Sequence, residues 1–217
     1  MQRRSGKILD LRKLLAERFP QPPLTEQGQL ATGLPAFDDS IGGGLPKSAI
    51  TELTSSHASS GSALLIQVLL TIVQREGQFL ALIDGRDSFD PQPLGHPRLR
   101  HLLWVRCTKA LEAIQAADLL LRDGNFPLVI LDLVLNAPEE LRKIPQTSWY
   151  RLQRLVEAVP TAFLVLTRRS IISSAQLKLT LENRWRLSDL QRDDGSERLK
   201  IQVQRVQGGR ERITGTG

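Results

Sequence analysis

Apolar and polar positions divide the chain into three stretches. In residues 5–19, SGKILDLRKLLAERF, the apolar Ile8, Leu11, Leu14 and Leu15 recur at helical spacing, and Lys7, Arg12, Lys13 and Arg18 fall elsewhere around the axis. The pattern predicts an amphipathic helix with Ser5 as its cap. Pro20, Pro22 and Pro23 stop it and form a stiff linker. The apolar face formed by Ile8, Leu11, Leu14 and Leu15 is expected to hold a partner protein, or else to dock on the chain's own domain.

From residue 30 onward, short apolar runs alternate with helical periodicity. Strands are predicted at 49–53, 78–83, 102–106, 128–133 and 162–167, and helices at 61–75, 111–121 and 149–158. Strands that lack polar alternation and are joined by helices indicate a largely parallel sheet covered on both faces. The end of the chain changes character. Residues 185–190 and 199–206 alternate, and Asp194-Gly195 between them is a hairpin signal, so a closing antiparallel hairpin is expected. The organisation expected is a helix and linker at 1–24, one α/β domain at 25–207 and a flexible tail at 208–217.

Composition narrows this picture. The chain has 217 residues, enough for one α/β domain with attachments. Its single cysteine, Cys107, excludes an internal disulfide framework and a multi-cysteine zinc site. His57, His96 and His101 show no metal-ligand spacing, and no metal site is expected. No apolar run is long enough to span a bilayer, and the charged start MQRRSGKILD lacks the apolar core of a signal peptide. A cytoplasmic protein without membrane contact is therefore expected.

Charge is uneven along the chain. Residues 1–24 hold six Lys/Arg against two Asp/Glu, residues 25–167 twelve against fifteen, and residues 168–217 eleven against six. Basic ends on a mildly acidic middle suit a phosphate backbone or an acidic partner. Arg168 and Arg169 follow the last apolar strand. Lys178, Arg184, Arg186, Lys200 and Arg205 come after them, and together these seven residues form the candidate DNA-binding set. Aromatic residues make up 5% of the chain, too few for an extended base-stacking platform, and Trp185 reads as core more readily than as a stacking residue.

In a sheet of this kind ligands bind at the carboxyl ends of strands. The first such end carries TSSHASSGS at 54–62, where a phosphate-binding loop would sit between strand and helix. That loop requires glycines for close backbone approach, a lysine on the phosphates and a hydroxyl for magnesium. Without a gap, Ser55 and Ser60 fall at the glycines and Gly61 at the lysine, and Ser62 alone keeps its type. Shifting by one residue restores Gly61 as the second glycine but puts Ser62 at the lysine. The helix N-terminus could still hold an anion weakly, but phosphoryl transfer relies on positioned charge. The second strand end offers Asp84, Asp87 and Asp90. The third ends on Asp132, a carboxylate placed to hold magnesium. Ser55, Ser60, Gly61, Ser62 and Asp132 thus form a degenerate nucleotide site. No catalytic residue and no cofactor are expected. A working ATPase that uses Ser62 and Asp132 with ATP and magnesium is the alternative.

In order along the chain, these pieces resemble the RecA-like recombinase core. LATGLPAFD at 30–38 followed by IGGGLPK at 41–47 is similar to that family's opening motif, TEL at 51–53 to its phosphate-loop strand, and ID at 83–84 through DP at 90–91 to its next conserved stretch. Arg86 stands where recombinases carry the glutamate that activates water, and a short segment after Thr167 replaces their longer DNA-binding loop. Among RecA-like proteins the chain most resembles the ImuA (SulA-like) proteins. That resemblance implies a non-catalytic role in damage-induced translesion synthesis, an SOS response, beside RecA and an ImuB-like Y-family polymerase homologue. It also implies contact with DNA or RecA filaments and leaves a homo-oligomer open. A regulator acting on RecA filaments through protein contacts alone is the remaining alternative.

Overall fold

The computed structural model describes residues 28–55, 57, 60–185 and 199–206. The expected helix at 5–19, its linker, the turn at 192–196 and the tail lie outside them. Nine strands and six α-helices occur among the described residues. Strands β1 (Gln29–Leu30) and β2 (Leu45–Pro46) pair antiparallel around helix α1 (Pro35–Ser40). The main sheet contains β3 (Ala49–Ser55), β4 (Leu80–Asp84), β5 (Leu102–Arg106), β6 (Leu128–Asp132), β7 (Ala162–Thr167), β8 (Leu177–Leu181) and β9 (Ile201–Val206). The remaining helices are α2 (Ser62–Arg75), α3 (Gly95–Leu99), α4 (Ala110–Asp123), α5 (Pro138–Arg142) and α6 (Gln146–Glu157).

The sheet order is β5-β4-β6-β7-β3-β8-β9, and every pair is parallel except β8–β9. Alternate side chains of each central strand enter opposite cores. Leu80, Leu82, Leu128, Ile130, Leu164 and Leu53 face Leu65, Ile66, Leu69 and Val73 of α2. Ala81, Ile83, Val129, Leu131, Phe163, Val165 and Ile50 face Ala113, Ala117 and Leu121 of α4 and Trp149, Leu152 and Val156 of α6. Burial on both faces is why these strands read as unbroken apolar runs. The fold is thus the expected α/β sheet, largely parallel, flanked by helices and closed by an antiparallel pair, consistent with a RecA-like core.

The closing antiparallel pair among the described residues is β8–β9, in which β9 pairs with Leu177–Leu181. Trp185 lies outside any strand, and 186–190 fall outside the described residues. The run Leu177-Lys178-Leu179-Thr180-Leu181 alternates buried leucines with half-buried polar residues, the pattern of a strand with one covered face.

The opening motif folds around Asp38. Its carboxylate accepts the Thr32 hydroxyl at 2.7 Å, the Thr32 N–H at 3.0 Å and the Gly33 N–H at 3.3 Å. Asp38 is half-buried, and Thr32 is fully buried. Gly44 immediately precedes β2, beside Leu30 of β1. With φ of +138° and a hypothetical Cβ only 2.2 Å from the Leu30 carbonyl oxygen, no other residue fits there.

Candidate functional site

The carboxyl ends of β3, β4, β6 and β7 meet at one edge of the sheet, where the candidate residues gather. Ser55 closes β3 and is buried, and its hydroxyl has no hydrogen-bond partner among the described residues. Ser60 is buried too, and its hydroxyl donates to the His57 carbonyl at 2.7 Å. Gly61 is the N-cap of α2, in the left-handed region with φ of +97°, and Ser62 begins the helix. Among the described residues no side chain caps this helix end. The strand-loop-helix arrangement expected for 49–75 is therefore present.

One neighbour was not expected. A Cβ on Gly61 would lie 2.7 Å from Trp185 Nε1 and 3.0 Å from Leu199 Cδ2. The indole edge and a leucine methyl thus lie against the loop at its glycine. Trp185 arrives there because β8 runs parallel to β3, so the chain leaving β8 emerges beside the end of β3.

Asp132 ends β6 directly beside Asp84, the last residue of β4. Burial raises the Asp132 carboxyl, the Val134 N–H at 2.9 Å opposes this, and the Asp84 carboxylate adds to the rise; its pKa is pushed up to about 6. Asp84 is buried and accepts the N–H groups of Ser88 at 2.7 Å, Phe89 at 2.8 Å and Arg86 at 3.2 Å. It organises the turn after β4. Asp87 within that turn forms a two-point pair with Arg106, at 2.5 and 2.7 Å. The Arg106 guanidinium beside it holds the Asp87 carboxyl below the usual carboxylate range. Asp90 accepts the Gln92 N–H, which shapes the turn around Pro91. The three aspartates of this strand end thus serve separate structural contacts.

Arg86 donates to the Thr108 carbonyl at 3.0 Å and lies 3.8 Å from Glu140. Asn136 bridges Glu140 at 3.0 Å and the Gly85 carbonyl at 2.9 Å. These contacts tie Arg86 and Glu140 to the β4 turn, a link the sequence reading did not contain.

The basic candidates separate into groups. Arg168 and Arg169 are exposed and stand at the carboxyl end of β7, on the same edge as the loop. Arg184 and Lys200 are also exposed and flank the segment around Trp185. Lys178 is different. Its ammonium lies 3.1 Å from Glu52 and 2.7 Å from the Ser170 hydroxyl, and only 20% of its side chain is exposed. An internal carboxylate already engages this cation. Arg186 lies outside the described residues, and Arg205 is placed on β9 by its backbone alone.

Glu52 is the residue the sequence reading passed over. It is fully buried in the middle of β3, between β7 and β8. Besides Lys178 it accepts the Ser170 hydroxyl at 2.7 Å and the N–H groups of Ile171 at 2.6 Å and Ile172 at 3.0 Å. A lone carboxylate inside the apolar run at 49–53 was the available signal, since a buried charge requires partners. No helix among the described residues is long and apolar enough to cross a membrane.

No protein-family model matches the chain. Among curated proteins it is similar to RecA of Gluconobacter oxydans, 29% identical over 123 residues, which is 54% of this chain and 34% of that protein. RecA of Francisella philomiragia is 31% identical over 108 residues, covering 48% of this chain and 30% of that protein. RecA of Clavibacter michiganensis is 32% identical over 109 residues, with coverage of 48% and 30%. The chain thus spans about a third of the length of the curated relatives it matches. Sheet order and these partial matches together support a RecA-like relationship carried by about half of the chain.

Proposed function

We propose that this chain is a non-hydrolysing RecA-like accessory protein that binds DNA at the carboxyl edge of its sheet. The observation that carries the reading is the loop at 54–62. It contains no Lys or Arg, and the Trp185 indole and Leu199 lie against its glycine. The lysine that would neutralise terminal phosphates is missing, and the indole edge with a leucine methyl occupies space beside the loop's glycine. Arg86 in place of a water-activating carboxylate fits the same reading. A nucleoside triphosphate with magnesium does not suit these residues.

DNA binding is supported by the exposed Arg168, Arg169, Arg184 and Lys200 around that edge. A phosphate backbone is the polyanion such a set would hold, with affinity that falls as salt rises. The finer reading rests on the resemblance to ImuA proteins. It assigns the chain to damage-induced translesion synthesis, with RecA and an ImuB-like Y-family homologue as partners, and with Ile8, Leu11, Leu14 and Leu15 as the contact toward a protein partner.

A functional ATPase is the second reading. It is favoured by the Ser62 hydroxyl at the first turn of α2 and by Asp132 at the end of β6. One experiment separates the two: binding of labelled single- and double-stranded oligonucleotides at two salt concentrations, with and without ATP and magnesium. Salt-sensitive binding that ignores ATP is expected. ATP-dependent binding or phosphate release would favour the second reading, and absence of binding at low salt would move the function to protein contacts alone.

A further inference from the structure

We infer that Glu52, though fully buried, is a positioning residue that sets the turn presenting Arg168 and Arg169; this rests on the reading that those arginines contact DNA. The argument begins with topology. β7 and β8 are both parallel to β3 and lie on either side of it. The connection 168–176 must therefore pass from the carboxyl end of β7 to the amino end of β8, across one face of β3. Crossovers between parallel strands ordinarily contain a helix, which satisfies its own backbone. This one contains no helix. Its apolar side chains Ile172 and Ala175 sink into the core beside Ile50. Its amides then require an acceptor from the sheet.

Glu52 is that acceptor. By strand alternation it shares the face of Ile50, over which the connection runs. One carboxylate oxygen takes the N–H groups of both Ile171 and Ile172, and the other takes the Ser170 hydroxyl. Lys178, its register partner on β8, balances the charge and also donates to Ser170. On the other side of the arginines, the buried Thr167 hydroxyl donates to the Arg169 carbonyl at 3.0 Å. The pair is thus gripped before and after by groups inside the sheet, and both side chains stay outside. Two phosphate-binding cations held on a fixed turn lose less freedom on binding than the same cations on a loose one.

The test compares two double variants of equal charge. In E52Q/K178M the amide oxygen still accepts the Ile171 and Ile172 amides. In E52L/K178M it does not, and no buried charge is left unpaired in either. Hydrogen exchange of the 168–176 segment is expected to stay slow in the first and become fast in the second. Affinity for a labelled single-stranded oligonucleotide is expected to be about tenfold weaker in E52L/K178M than in E52Q/K178M, with Arg168 and Arg169 untouched and both variants folded at the assay temperature. Equal exchange or equal affinity in the two variants overturns the inference. Should E52L/K178M fail to fold, S170A removes one arm of the grip from an exposed position, and unchanged exchange and affinity there overturn it as well. R168Q/R169Q serves as the separate control. If that variant binds as the wild type does, the arginine pair does not contact DNA and the affinity arm of the inference fails, while hydrogen exchange still decides whether Glu52 holds the turn.

Discussion

Gly61 and Trp185 are in direct contact, and the contact depends on the missing side chain: a Cβ on Gly61 would come within 2.7 Å of the indole nitrogen. Gly61 also has φ of +97°, a conformation in which any other residue is strained. Replacing it by alanine combines both penalties. Gly61→Ala is expected to cost about 2 kcal/mol in chemical denaturation. The Trp185 indole N–H resonance, assigned from W185F, is expected to shift, and that of the distant, buried Trp149 to stay. An unchanged Trp185 resonance would show that the two residues are not in contact in solution.

Asp132 supplies a pH signature. Its folded pKa of about 6 lies above the ordinary carboxylate value, so the native state holds a proton that the unfolded chain has already lost. Between roughly pH 4 and pH 6 the native state binds more protons, and stability falls as pH rises. The contribution is fully present below the unfolded pKa and lost as pH passes the folded one. Relative to D132N, the wild type is expected to lose about 2 kcal/mol across this window and to run parallel above pH 7. Denaturation at pH 4, 5, 6 and 7.5 checks it; parallel curves throughout would place Asp132 in contact with water.

Much of this architecture was legible in the apolar runs. The strands at 102–106 and 162–167 match the expected bounds, those at 49–53, 78–83, 128–133 and 199–206 shift by one or two residues at their ends, and the one at 185–190 falls outside the described residues but for Trp185. Strands buried on both faces leave an unmistakable signal because every position is apolar. β8 is not read from the sequence because its five alternating residues are too few and follow directly on an irregular turn. Helices α1, α3 and α5 are too short for periodicity to show. The placement of Ser55, Gly61, Ser62 and Asp132 was legible because each sits at the end of a recognisable strand or the start of a helix, with Ser60 in the loop between. Trp185 on the loop and Glu52 beneath the arginine turn were not found, since both contacts join segments more than a hundred residues apart. Lys178 shows the same gap from the other side. Sequence offers it as a free cation, and only the β3–β8 register reveals its acid.

Asp38 is expected to be the principal support of the opening motif. One carboxylate collects the hydroxyl and the amide of Thr32 and the amide of Gly33, and Thr32 is fully buried. Asp38→Ala leaves the Thr32 donors without an acceptor in a covered site. A loss of about 2–3 kcal/mol is expected from urea denaturation, with the slope unchanged. Asp38→Asn, which keeps one accepting oxygen, is expected to lose about half as much. Equal losses would show that charge, rather than the count of accepted bonds, holds the motif.

The arginine pair makes the sharpest claim about DNA. Each phosphate contact removed lowers the slope of log affinity against log salt by about one unit. Arg168 and Arg169 are both exposed at the carboxyl end of β7. R168Q/R169Q is therefore expected to reduce the slope by roughly two and to weaken binding at low salt by about tenfold or more, equally for all sequences. Lys200 and Arg184 lie on the neighbouring segments, and removing either alone is expected to change the slope by about one or less. Stability should stay within about 0.5 kcal/mol in all three variants, because none of these side chains is buried. The measurement is fluorescence anisotropy of a labelled oligonucleotide at four salt concentrations. A slope that is unchanged in R168Q/R169Q but reduced by loss of Lys200 or Arg184 would move the DNA path from the end of β7 to the outer β8–β9 side of the sheet.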